Sequence, residues 1–246
     1  MASGPVRIAM WSGPRNLSTA LMRSFGSRSD TVVCDEPLYG HFLQATGKAH
    51  PMAETILEQA ETHWPTVAAA LIGPVPGGRA VSYQKHMAHH LLPHIGREWL
   101  SSLSHAFLLR RPRSMLSSLA AVWPKPTLED TGLPQQIELL ETLHLAEEPQ
   151  PAVIDSDDLL ANPEGMLKSL CRALQIPFDP AMLSWETGPR DTDGCWAPFW
   201  YASVERSTHF GPPRTNSAEL PQHLEELCSQ CDELYEQLAQ HRLRAS

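Results

Sequence analysis

The sequence predicts one α/β domain, a three-layer unit with a central parallel sheet, followed by a C-terminal amphipathic helix. Three observations predict it. Short apolar runs of strand length alternate with segments of helical periodicity, the pattern of a parallel sheet buried on both faces. The first such run passes through a Gly-Pro loop straight into a helical segment. Near the end of the chain, Leu220, Leu224, Leu227, Cys231, Leu234 and Leu238 recur at alternating spacings of four and three, which a helix keeps on one face.

The first strand is residues 6–11, apolar and bounded by Gly4-Pro5 and by Ser12-Gly13-Pro14. A helix over 18–25 follows, then a strand at 31–34, rich in β-branched residues. The apolar periodicity of 52–71 reads as one helix, and 80–83 as the third strand. Residues 105–109 and 152–154 complete the sheet, with helices over 114–121, 134–143 and 163–174 between and after them. The chain carries 22 prolines, whose clusters at 74–76, 124–126, 149–151 and 212–213 punctuate these elements. Residues 1–216 thus form the α/β domain and 217–246 the terminal helix, with Ser217 placed to cap it. Its stripe suits packing on its own domain or a dimer seam, so monomer and homodimer both remain open.

Composition narrows the partners. Hydrophobic residues make up 42% and charged ones 19% of 246 residues, which is a globular chain rather than a disordered one. A net charge of −9 disfavours nucleic acid and anionic membrane as partners, because both are bound by summed positive charge. No apolar run approaches the roughly 20 residues of a membrane span, and residues 1–7 lack the pattern of a secretory leader. Five scattered cysteines form no disulfide framework, and the lone Cys228-x-x-Cys231 sits in the helical stripe. A cytoplasmic protein with a small-molecule partner is expected.

Two elements point to an anionic ligand. The loop Gly13-Pro14-Arg15-Asn16-Leu17-Ser18-Thr19 joins a strand to a helix, an arrangement that aims backbone N–H groups and the positive helix end at an anion. Its residues argue against a nucleoside-triphosphate loop. Counted from Gly13, the positions that need Gly, Lys and Ser/Thr hold Ser18, Thr19 and Ala20. A plain Pro-containing turn with a Ser cap is the structural alternative. The second element is Arg110-Arg111-Pro112-Arg113, which follows the 105–109 strand and therefore falls at the same carboxyl edge of the sheet. Two anion sites on one edge suit a ligand with two separated phosphates.

These residues resemble the sulfotransferase superfamily, which implies a P-loop NTPase-like fold. The loop at 13–19 is similar to its 5′-phosphosulfate loop, and Arg110-x-Pro112 with Ser118 is similar to its 3′-phosphate element. Asp155-Ser156-Asp157-Asp158-Leu159 through Asn162-Pro163 resembles its late strand-to-helix segment. Trp11-Ser12-Gly13-Pro14-Arg15-Asn16 and Asp35-Glu36-Pro37-Leu38-Tyr39 resemble those of a variant subgroup. The resemblance implies transfer of a sulfuryl group from 3′-phosphoadenosine 5′-phosphosulfate (PAPS) to a hydroxyl or amine of a small acceptor, with no metal required. It implies a leaving-group role for Arg15, with Ser18 and Thr19 beside it, and 3′-phosphate binding by Arg110 and Ser118. Leu17 departs from the pattern, standing where many members have Gly.

Two candidates compete for the base. His86, after the 80–83 strand, has an ordinary pKa suited to proton transfer near neutrality, although Gln84 stands where members with that histidine carry Lys. Glu36 matches the position of a carboxylate base in some carbohydrate-directed members. His86, His89 and His90 also have spacing compatible with a metal face, but no third ligand type lies close in sequence. A late loop with Arg190, Gly194 and Trp196 resembles the segment that covers the nucleotide. A metal-dependent P-loop kinase and a non-catalytic nucleotide-binding protein are the alternatives.

Overall fold

A computed structural model describes residues 4–145, 150–212 and 219–246. Five strands form one all-parallel sheet: β1 (Val6–Ser12), β2 (Thr31–Asp35), β3 (Val81–Met87), β4 (Ser104–Leu109) and β5 (Ala152–Asp155), in the order β2-β3-β1-β4-β5. The helices are α1 (Ser18–Gly26), α2 (Tyr39–Thr46), α3 (Ala53–Gln59), α4 (Trp64–Ile72), α5 (Pro112–Ala120), α6 (Leu133–Leu145), α7 (Ser156–Ala161) and α8 (Pro163–Ala173). The short turns α9 (Ala197–Trp200) and α10 (Ala202–Glu205) and the terminal α11 (Glu225–Ala239) complete the set.

Strand alternation divides the core in two. Ile8, Met10, Tyr83, Ala106 and Leu108 face one layer, where Leu21, Met22 and Phe25 of α1 and Leu167 and Leu170 of α8 cover them. Ala9, Trp11, Phe107 and Leu109 face the other, covered by α4, α5, α6 and α11. Each strand is therefore apolar on both sides, which is why the sequence shows runs rather than alternation.

Three expectations shift. The third strand does not stop at Tyr83 but continues to Met87, pairing Lys85 with Met10 and His86 with Trp11 of β1. The helix expected over 52–71 is two helices. Ala60 is extended, and Pro65, which has no N–H to donate, sits in the first turn of α4. The stretch after β5 holds two short capped helices: the Asp155 carboxylate accepts from Asp157 N at 2.7 Å, and Asn162 accepts from Gly165 N at 3.0 Å.

Ser217 and most of the 212–219 junction lie outside the described residues. Helix α11 begins at Glu225 and packs on α5 and α6, burying Cys228, Cys231, Tyr235 and Leu238. Its stripe is seated on the chain's own core. The tail beyond it covers the outer edge of β5, with Leu243 N donating to Val153 O at 2.8 Å. Among the described residues no helix is long and apolar enough to cross a membrane.

Candidate active site

β1 and β4 are neighbours, so the loops that leave their carboxyl ends open side by side. Gly13 starts the first loop because nothing larger fits: a Cβ there would lie 2.2 Å from the Thr131 carbonyl oxygen. Arg15 (φ 62°) and Leu17 (φ 67°) both adopt the left-handed backbone that favours glycine. Leu17, the departure from the family pattern, thus takes the conformation a glycine would. The loop is held from several sides. Asn16 Nδ2 donates to Leu108 O at 3.2 Å, and Ser156 Oγ lies 2.8 Å from Asn16 O and 2.6 Å from Leu109 O. Arg15 Nε donates to Ser118 Oγ at 3.0 Å, and an Arg110 guanidinium N–H donates to Arg15 O at 2.6 Å. The two basic elements read separately from the sequence therefore form one connected cradle, with the N-termini of α1 and α5 beside it.

A cavity of about 490 Å³ opens over this cradle. Residues 14–20, Arg110 and Ser118 line it, and so does Glu36. Behind Glu36 lies a buried charge cluster. Lys85 Nζ donates to Glu36 Oε1 at 2.5 Å, to Asp35 Oδ1 at 2.9 Å and to Tyr201 Oη at 2.6 Å. Tyr201 in turn donates to Asp35, 2.7 Å to the nearer oxygen, and accepts from Trp196 Nε1 at 3.1 Å. Gly194 N donates to Asp35 Oδ2 at 3.0 Å. Burial pushes the Glu36 carboxyl above its ordinary 4.5; the Lys85 charge opposes this in part, while Asp35 adds to it. Burial disfavours the Lys85 ammonium, yet Asp35 and Glu36 outweigh it and hold the pKa well above 10.5. Glu36 itself sits at φ 43°, a strained backbone at the end of β2.

The sequence-derived candidates divide. Pro14, Arg15, Asn16, Leu17, Ser18, Thr19, Arg110, Ser118 and Glu36 all border the cavity. His86 does not. Strand alternation turns it to the opposite face, where it stacks on Trp11 at 4.3 Å, and burial lowers its pKa to about 3. That placement is a correction to the expectation for His86, which lies off the cavity, whereas Glu36 borders it. Arg190, Gly194 and Trp196 do not border the cavity either. The Arg190 side chain closes on carbonyls of its own loop, from Glu186 to Pro189, while Gly194 and Trp196 support the Asp35–Tyr201 cluster. Arg206, which the sequence reading passed over, lines the cavity from the segment after α10. His89 and His90 also line it, and no three His, Cys, Asp or Glu side chains among the described residues group as a metal site.

Lys85 and Asp35 were missed too. Extending the third strand by its period of two would have put Lys85 and Met87 on the face of Val81 and Tyr83. A lysine on the buried face of a central strand is itself a sign of a paired carboxylate.

Residues 6–236 match the family described as Sulfotransferase domain. Two curated relatives from Arabidopsis thaliana, branched-chain-amino-acid aminotransferase-like proteins 2 and 1, are 38% and 39% identical over 95% and 96% of this chain. The chain spans only 41% and 42% of their length. Among solved structures, the sulfotransferase domain of the Synechococcus PCC 7002 olefin synthase superposes with a TM-score of 0.60 at 16% identity, covering 96% of each chain. The sulfotransferase domain from the curacin biosynthetic pathway gives 0.58 at 17% identity, covering 97% of this chain and 99% of that one. These likenesses fix the fold, and the match over nearly the whole chain fixes the family: the protein belongs to the sulfotransferase domain family.

Proposed function

We propose that this protein is a sulfotransferase that moves a sulfuryl group from PAPS to a hydroxyl or amine of a small acceptor. One observation carries the reading: an anion cradle built from Arg15, Arg110 and the 13–19 loop and a lysine-held carboxylate face the same cavity. The residues present suit a ligand with two phosphate ends. Arg15, Ser18 and Thr19 with the N-terminus of α1 would hold the 5′ end, and Arg110 and Ser118 with the N-terminus of α5 the 3′ end; Arg206 adds a third arginine to the lining. Bound there, PAPS supplies the sulfuryl group and departs as 3′-phosphoadenosine 5′-phosphate (PAP).

The chain's own groups do the rest. Glu36 takes the proton of the acceptor as its oxygen or nitrogen bonds to sulfur and the sulfur–oxygen bond to the 5′-phosphate breaks. Its Oε1 is occupied by Lys85, which leaves Oε2 for the acceptor proton. Arg15 and the loop N–H groups face the charge that grows on the departing phosphate. Lys85 fixes the carboxylate and is a positioning residue here.

Calorimetry decides between this reading and its alternatives. Tight PAP binding without magnesium is expected, weakened at least about tenfold in Arg110→Ala, as for loss of one charge-assisted contact. Preference for ATP–magnesium would make the protein a kinase. PAP binding with no sulfate transfer to alcohols, amines or phenols would make it a non-catalytic nucleotide binder.

A further inference from the structure

Beside Glu36 the cavity wall is made of imidazoles and aromatic rings. His90 Nδ1 lies 4.0 Å from Glu36 Oε2. The His90 ring stacks on Tyr39 at 4.5 Å and 13°, and His89 meets it edge-on at 4.4 Å. His50 accepts or donates a 2.9 Å hydrogen bond with Tyr39 Oη and packs edge-on to Trp123 at 4.8 Å. We propose that His50, His89 and His90, with Tyr39 and Trp123, form the acceptor subsite, and that it takes an uncharged ring-bearing alcohol whose hydroxyl reaches Glu36. This rests on the sulfotransferase reading and narrows it to a substrate class.

Hydrogen bonding supports the assignment. His89 and His90 are 8% and 2% exposed, and Nδ1 of each has no hydrogen-bond partner. Buried polar nitrogens are ordinarily satisfied, so both rings, which line the cavity, keep unused hydrogen-bonding capacity. A neutral imidazole both donates and accepts, as a hydroxyl does. Burial lowers His50 to about 4 and His89 to about 3, and puts His90 well below its ordinary value.

Charge supports it as well. Lys48 and Asp130, the nearest charged pair, are closed on each other, and Asp130 also accepts from Thr127 N at 2.9 Å. Lys85 is committed to Asp35, Glu36 and Tyr201. An ionised substituent lodged between His50, His89 and Trp123 would lose its hydration and find Lys48 and Asp130 already closed on each other. An aromatic or aliphatic ring instead gains contact with Tyr39 and Trp123.

Three alcohols of one shape test this. In the PAP-loaded protein, ligand-observed NMR would compare 4-methylbenzyl alcohol, 4-(hydroxymethyl)benzoate and 4-(aminomethyl)benzyl alcohol. The neutral compound should bind at least about tenfold more tightly than either charged one, the scale of one uncompensated polar group. His89→Ala and Trp123→Leu should each weaken it several-fold, and His89→Asn should recover part of the loss by restoring a donor and an acceptor. PAP affinity, measured in the same samples, reports that each variant is folded. Equal or tighter binding of a charged alcohol, or no binding of the neutral one to PAP-loaded protein, overturns the inference. Failure of PAP itself to bind instead removes the sulfotransferase reading beneath it.

Discussion

Lys85 is a cation on a central strand with 1% of its side chain exposed, and three oxygen partners make that burial tolerable. Replacing it by methionine would leave two carboxylates buried without a counter-charge. Lys85→Met should lose about 3–5 kcal/mol of stability at neutral pH, the cost of breaking a buried pair from one side. In that variant Glu36 loses the ammonium that opposes its burial, so its folded pKa lies further above the unfolded one. Stability is then retained in acid and lost as pH rises, and urea midpoints that climb from pH 7 to pH 5 would show it. Glu36→Gln removes the proton acceptor but keeps the shape. Turnover should fall about 10²–10⁴-fold with PAP affinity unchanged; unchanged turnover would exclude Glu36 as the base. In the native protein Glu36 ionises above its ordinary 4.5, so the acid limb of kcat/KM should titrate above 4.5. Glu36 was legible in the sequence through its resemblance to the carboxylate base of some sulfotransferases. Its partner Lys85 was not, because the strand was read two residues short of it.

The loop at 13–17 and strand β3 show what is settled one level up. The loop carries two non-glycine residues in left-handed conformation, each costing about 1–2 kcal/mol. Side-chain and backbone bonds from β4, α5 and α7 hold it there. Gly13→Ala pushes a methyl against the Thr131 carbonyl and should shift the loop, weakening PAP at least about tenfold while leaving most of the fold intact. Calorimetry alongside thermal melting checks both halves of that expectation. In β3, a change of one residue in facing direction separates a cavity group from a core group. Lys85 and His86 are adjacent, and only the period of two sends one to the site and the other onto Trp11. The apolar stretch of 52–71 failed in a different way. Its helical periodicity carries through 60–63, and the break there is backbone extension followed by a new first turn at Pro65.

At the scale of the molecule, the two faces of the sheet have separate covers, and α11 belongs to one of them. Leu238 is fully buried in that layer. Leu238→Ala should cost about 2–5 kcal/mol, lowering the melting midpoint by roughly 5–15 °C, and a change under 2 °C would mean the terminal helix contributes little to the core. The Tyr235 hydroxyl, 2.8 Å from Asp155, ties the same helix to the end of β5. Net charge also takes its meaning at this scale. A chain at −9 still carries Arg15, Arg110 and Arg206 around one cavity, and local cations and helix ends set the potential a ligand meets there.

The sequence by itself determined the parallel α/β layering and the carboxyl-edge loop with its arginines, because apolar runs, helical periods and strand–loop–helix junctions are local patterns. Tertiary structure decided which groups meet. It turned His86 into the core, folded Arg190 onto its own loop, and brought Tyr201 across 166 positions to Asp35. The physical reason is that strand facing and long-range hydrogen bonds depend on the register and packing of the whole sheet, which no short segment encodes.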